Sequence, residues 1–215
     1  MSYNIIGDIA GQFKTLCALL AKMPDGEPIS VGDMLDRGPN SEAVVNFFIN
    51  EGRAVLGNHE DMFIEFLHGK EGVGGKYGTG IYQMNGGDAT LSQFDTGDGR
   101  WDIPQQWVNW IRDLPLEIRL DVPNEAGQFA IITHAPIHPI PEARRQLEYG
   151  CLWNRNPTLK RIDGYYQLFG HNSYWDCRME EDEDGPFATC LDTYKPMLVG
   201  MHWPSMKLYS QEFID

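Results

Sequence analysis

Residues 28–40 read PISVGDMLDRGPN, and this stretch decides the fold. Pro28 to Gly32 form a short apolar run of strand length, and the chain then enters a loop carrying Asp33, Asp36, Arg37 and Asn40. Ser41 is placed to cap the helix that follows. Val44, Val45, Phe48 and Ile49 recur at helical spacing, and Gly52 is placed to end it. A buried strand, a glycine-bearing polar loop and a helix make the repeating unit of an α/β sheet.

The unit recurs on both sides. Upstream, residues 3–7 (YNIIG) lead into Asp8-Ile9-Ala10-Gly11. A helix follows with Phe13, Leu16, Cys17 and Leu20 on one apolar face, and Pro24-Asp25-Gly26 turns the chain. Downstream, residues 53–56 (RAVL) lead into Gly57-Asn58-His59-Glu60 and a helix carrying Met62, Phe63, Phe66 and Leu67. Three such units predict a parallel sheet in this half, and open α/β sheets gather their sites at the carboxyl ends of strands. Gly69 to Gly99 is rich in glycine and lacks periodicity, so it reads as a long mobile connection or lid. Pro104 starts a helix with Trp107, Trp110 and Ile111. Strands at 116–122 and 129–133 join through a turn at Asn124 to Gly127, and a short helix covers about 141–149. Further strands near 165–169, 187–192, 197–201 and 206–210 make the second half mostly antiparallel. The run Glu180 to Asp184 reads as a solvated loop.

Composition narrows the function classes. Lys and Arg number 17 against 31 Asp and Glu, a formal charge of −14. A nucleic-acid binder that neutralises phosphates needs a basic face, and a peripheral membrane protein needs a polybasic patch. Neither is present. No run of about 18 apolar residues exists. The opening MSYNIIGDIAG lacks the basic start and apolar stretch of a signal peptide. Cys17, Cys151, Cys177 and Cys190 are too scattered for a disulfide framework or a zinc knuckle, and Cys17 reads as a core residue. The expectation is one cytoplasmic domain spanning residues 1–215, with no nucleic-acid groove and no membrane contact.

Asp8, Asp33, Asp36, Asn58, His59, His134 and His171 each follow an apolar strand. One such residue does no more than cap a turn. A succession of them aimed at one sheet edge points instead to a binuclear site, and mixed oxygen and imidazole donors suit Mn²⁺, Fe²⁺ or Zn²⁺.

Five segments, Gly7-Asp8-Ile9-Ala10-Gly11, Gly32-Asp33-Met34-Leu35-Asp36-Arg37-Gly38, Gly57-Asn58-His59-Glu60, His134-Ala135-Pro136 and Phe169-Gly170-His171-Asn172, resemble the motif series of the calcineurin-like metallophosphoesterases. Within them the spelling is nearest the small bacterial and phage phosphoprotein phosphatases. The resemblance implies an α/β fold, an αββα sandwich of two mixed β-sheets flanked by helices. It implies a metal-dependent phosphatase that hydrolyses phosphomonoesters, with protein phosphoserine or phosphothreonine as first substrate, by attack of a metal-activated hydroxide. Two divalent ions are implied, Mn first, with Fe, Zn or Ni as alternatives. Asp33 would bridge them, Asn58, His134 and His171 would complete the second, and Asp8 would serve the first. His59 would be the general acid, oriented by Asp36. Arg37 would hold phosphate, as would Arg155 in Leu152-Trp153-Asn154-Arg155. Two metals clamp a phosphoryl group, an arginine fork meets its oxygens, and a carboxylate fixes the tautomer of a proton-donating histidine.

Two departures stand out. The family's first motif reads Gly-Asp-x-His-Gly, and here Ala10 takes the histidine position, which weakens the first metal site. Gln12, His138 and His202 are candidates for the missing ligand. Leu56 stands where these protein phosphatases carry arginine and looks more like the diadenosine-polyphosphate hydrolase branch. The alternatives are therefore a dinucleoside-polyphosphate or other nucleotide phosphohydrolase, or a non-catalytic binding module because of Ala10. Of Trp107, Trp110, Trp153, Trp175 and Trp203, most are expected to pack in the core.

Overall fold

The computed structural model describes residues 1–70, 79–137, 150–155 and 159–214. The predicted units are all present. They are β1 (Tyr3–Ile6) with α1 (Phe13–Leu20), β2 (Glu27–Ser30) with α2 (Ser41–Glu51), and β3 (Arg53–Ala54) with α3 (Asn58–Lys70). Next come α4 (Thr79–Tyr82), a π turn (Gln83–Gly87), α5 (Asp88–Leu91) and α6 (Gln105–Arg112). The strands β4 (Glu117–Pro123), β5 (Phe129–Thr133), β6 (Tyr165–Phe169), β7 (Arg178–Asp182), β8 (Gly185–Cys190), β9 (Met197–Trp203) and β10 (Lys207–Glu212) complete the order.

Two five-stranded mixed sheets result, ordered β10-β9-β1-β2-β3 and β4-β5-β6-β8-β7. β1, β2 and β3 run parallel, with β9 antiparallel to β1. The second half is mostly antiparallel in its pairings, β4 with β5, β7 with β8 and β9 with both β10 and β1, except at the centre of the second sheet. β5, β6 and β8 run parallel in the middle of their sheet, and only the edge strands β4 and β7 oppose them. A long crossover separates β5 from β6, and β6 reaches β8 past the β7 hairpin, so closeness in sequence misleads about direction.

Apolar side chains fill the space between the sheets. Tyr3, Ile5, Ile29, Val31 and Val55 of the first meet Ile118, Leu120, Ile132, Tyr166 and Leu168 of the second. Each such side chain contributes about 1.5–3 kcal/mol on burial. Ile6, Leu16, Leu19, Val44 and Phe48 seal the first sheet's other face beneath α1 and α2. Leu35, Met62, Phe63, Tyr82, Leu91, Trp107 and Ile111 form a further cluster among the helices.

Several expectations are corrected. The core face of α1 is Thr15, Leu16 and Leu19, and Cys17 is exposed. Ser41 is the first residue of α2 rather than its cap, because its hydroxyl accepts the Asp36 amide at 3.1 Å. The Gly69–Gly99 segment, within its described residues, is not a bare connection. From Thr79 it folds into α4, the π turn and α5, and it buries Tyr82 and Leu91. Its elements are too short to show a helical period. The acidic run is not a loop but the end of edge strand β7, its turn and the approach to β8, with Arg161 paired to Asp182 at 2.5 Å. Charged residues suit an exposed sheet edge. The helix expected at about 141–149 lies outside the described residues.

Candidate metal centre

β1, β2, β3, β5 and β6 end at one edge of the sandwich, and Asp8, Asp33, Asn58, His134 and His171 follow within four residues of those ends. The loops after β1 and β2 are knitted together. The Ile9 and Ala10 amides donate to the Asp33 carbonyl at 3.0 and 2.9 Å, and the Gly11 amide donates to Met34 O at 2.9 Å. The tight path puts Ala10, Asp33, Asp36, Arg37 and His171 in left-handed backbone, with φ of 48, 50, 70, 60 and 63°. Glu60, fully buried, ties the β2 loop to the start of α3. Its Oε2 accepts the Asp33 and Gly57 amides at 2.8 and 3.0 Å, and its Oε1 accepts those of Met34 and Leu35 at 2.8 and 3.2 Å. Burial and the neighbouring Asp33 carboxylate push Glu60 up to about 7.

Lone pairs converge on the edge so built. Asp8, Asp33 and His134 offer ligand atoms all within 4.8 Å of one another. The Asn58 carbonyl oxygen lies 2.8 Å from both His134 Nε2 and His171 Nδ1. His134 Nδ1 donates to Val31 O at 2.9 Å, so the neutral ring turns a lone pair toward the Asn58 oxygen. Burial lowers its pKa, and burial together with His134 pushes His171 down to about 3. Two acceptors 2.8 Å apart repel unless a cation lies between them. Buried His171 Nε2 has no hydrogen-bond partner among the described residues. Burial raises the Asp33 carboxyl, yet His134, His59 and the His59 amide outweigh it and hold Asp33 at about 2. Asp8 goes the other way, well above the carboxylate range, because of burial and then Asp192 and Asp33. This donor set fits divalent cations, which would relieve both the acceptor contact and the carboxylate repulsion.

Beside it runs a proton-handling line. His59 Nδ1 meets Asp36 Oδ2 at 2.6 Å, and Arg37 Nη2 meets His59 Nε2 at 3.0 Å. Tyr82 and Thr90 each donate to Asp36 Oδ1 at 2.7 Å. Burial opposes a charge on His59, but the Asp33 and Asp36 carboxylates outweigh it and its pKa is raised. Arg155 donates to the His171 carbonyl at 3.0 Å, which places its guanidinium at the rim.

All nine residues predicted for the site thus gather at this edge. Sequence reasoning missed Tyr82 and Thr90, which sit in the aperiodic segment. It also missed the staple role of Glu60, although the repeated Gly-Asn-His-Glu spelling marked the position. His202 does not replace the absent histidine, because it pairs with Asn4 toward the amino end of β1 and contacts Ser205 at 2.7 Å. The Gln12 amide lies beside Gly38, and His138 is outside the described residues. Leu56 packs into the helical cluster. Trp107 and Trp203 are core residues and Trp153 stacks edge-on against His171 at 5.8 Å, whereas Trp175 is 72% exposed.

Residues 1–174 match the calcineurin-like phosphoesterase family. The chain belongs to this family. Among curated relatives, a symmetrical bis(5'-nucleosyl)-tetraphosphatase of Hamiltonella defensa subsp. Acyrthosiphon pisum is 33% identical over 88% of this chain and 64% of its own length. Another of that name, from Shewanella baltica, is 43% identical over 33% of this chain and 28% of its own length. The chain therefore spans less than two thirds of these relatives. The solved structure of a putative diadenosine tetraphosphatase superposes with a TM-score of 0.66 at 20% identity, covering 97% of this chain and 92% of the other. At that identity the likeness speaks for the fold. No helix among the described residues is long and apolar enough to cross a membrane.

Proposed function

We propose that the chain is a metal-dependent phosphohydrolase that cleaves a phosphoanhydride bond of dinucleoside polyphosphates. The chemistry rests on one observation, the Asp36–His59–Arg37 line lying beside the Asp8–Asp33–His134 cluster. Bound divalent cations would polarise phosphoryl oxygens and bring the pKa of an attacking water toward neutrality. Asp8, Asp33, Asn58, His134 and His171 would hold them.

The chain's own groups supply the rest. Asp36 accepts a hydrogen bond from His59 Nδ1–H and fixes the tautomer, which aims Nε2 at the leaving oxygen. The raised His59 pKa keeps a proton available there near neutral pH. Arg37 meets Nε2 while no phosphate competes for it. A phosphate drawing the guanidinium into a two-pronged contact frees Nε2 and removes a cation that lowers the proton affinity of His59. Arg155 adds a second cation at the rim. With a formal charge of −14 over the whole chain, capture of an anionic substrate depends on these local positive charges.

The name carried by the relative that aligns over 88% of the chain supports this substrate class. Leu56 agrees with it, offering no guanidinium to a phosphate. Trp175 and Tyr194, 72% and 73% exposed, flank the Tyr174–Thr193 bridge next to the site and offer faces on which a nucleobase could stack. The second reading, a phosphoserine or phosphothreonine phosphatase, draws on the motif spelling. The third, a binding module, draws on Ala10. Purified chain with Mn²⁺ should convert diadenosine tetraphosphate to two ADP faster than it dephosphorylates a phosphothreonine peptide. Faster peptide turnover would favour the second reading. Turnover no better than an Asp33→Asn control on either substrate would favour the third.

A further inference from the structure

The first cation position lacks a ligand where Ala10 stands, and the fold brings another carboxylate to the same edge. β6 and β8 are parallel, with Phe169 in register with Cys190. Two residues beyond that pair stand His171 and Asp192. The offset from the strand end is the one that places Asp8 two residues past Ile6 of β1. The pairing continues past the strands. The Leu191 amide donates to Phe169 O at 2.8 Å, Ser173 Oγ donates to Asp192 Oδ2 at 2.6 Å, and Tyr174 bridges Thr193. β1 closes in from the other side, since a Cβ on Gly7 would lie 2.4 Å from Leu191 O. The tails of β1, β6 and β8 therefore lie side by side, and the His171 amide reaches Asp8 Oδ2 at 3.2 Å.

We propose that Asp192 stands in for the missing histidine, so that the first cation is held among the carboxylates of Asp8, Asp33 and Asp192. This rests on the metal-dependent reading above. The electrostatics agree. Burial raises Asp192 to about 6 and raises Asp8 as well, and no ion pair among the described residues neutralises either. Asp192 lies outside the group already within 4.8 Å, so it approaches the cation by yielding its Ser173 contact or through a bridging water. A site so rich in carboxylate favours a hard cation, Mn²⁺ or Mg²⁺, over Zn²⁺.

Metal-stripped protein titrated with Mn²⁺, with free Mn²⁺ followed by electron paramagnetic resonance, tests this without reference to turnover. Wild type should bind two ions. Asp192→Asn should weaken one by tenfold or more and leave the other, and Ala10→His in that background should restore it. Two ions bound by Asp192→Asn as tightly as by wild type would overturn the proposal and leave the metal-dependent reading standing. Joint loss of both sites without rescue would mark a structural role and overturn it too. Wild type that binds no Mn²⁺ would overturn both readings.

Discussion

Adding a single methyl group at Gly170 should disable the site while leaving the fold standing. A Cβ there would fall 1.9 Å from Asp8 Oδ1 and 2.8 Å from Val31 Cγ2. Ordinary contact needs about 3.4 Å, so the Asp8 carboxylate has to retreat by about 1.5 Å while Val31 gives a little. Overpacking of this kind costs about 1–3 kcal/mol. With a urea slope of about 2–3 kcal/mol per M, the Gly170→Ala midpoint should fall by roughly 0.3–1.5 M at unchanged slope. The functional loss should be larger in proportion. A displacement of about 1 Å at reacting groups costs about 10²-fold in rate, and Asp8 would leave the cluster it forms with Asp33 and His134. The measurements are urea unfolding, Mn²⁺ titration and kcat/KM, with Gly80→Ala as control because nothing lies within 4 Å of that position. If Gly170→Ala binds Mn²⁺ and turns over substrate like wild type, the placement of Asp8 against β6 is wrong.

Three more expectations concern the proton-handling line. A general acid must be protonated, so with the His59 pKa raised the alkaline limb of the pH–rate profile should lie above the ordinary 6.5. Asp36→Asn removes one of the charges that raise it, and should move that limb to lower pH and cut kcat by about 10²–10⁴-fold. An unmoved limb would sink the assignment of His59. Tyr82→Phe removes a donor to Asp36 Oδ1 and should cost about 1.5–3 kcal/mol in urea unfolding, with less effect on kcat than Asp36→Asn. Arg37→Lys keeps the charge but loses the fork, and should raise KM for a polyphosphate substrate. Unchanged KM and kcat would mean Arg37 does not hold phosphate.

The legible part of this protein was what repeats. β1, β2 and β3 with their helices declared themselves by an apolar run, a glycine loop and a helical period, and the same loops held Asp8, Asp33, Asp36, Arg37, Asn58 and His59. His134 and His171 were found by the same rule one sheet over. What escaped is what local pattern does not encode. Tyr82 and Thr90 lie on elements of four residues joined by a π turn, too brief for any period, and only the folded chain brings them to Asp36. Asp192 follows a strand whose apolar run was read two residues too long, so it was counted inside the strand and not at its end. β7 was lost because its charged residues have poor strand propensity, which an exposed edge tolerates. The direction of β6 and β8 depends on crossovers, on which short strands carry no information.

The distribution of backbone strain has an evolutionary corollary. Six non-glycine residues among those described have left-handed φ, and all but Met206 line the edge where the candidate site gathers: Ala10, Asp33, Asp36, Arg37 and His171. Each costs about 1–2 kcal/mol relative to right-handed backbone, a cost glycine escapes. A population selected for heat resistance alone would drift toward glycine at those five positions first. The chain would harden as its chemistry was erased. Persistence of side chains there, lineage after lineage, would itself be a record of selection for function.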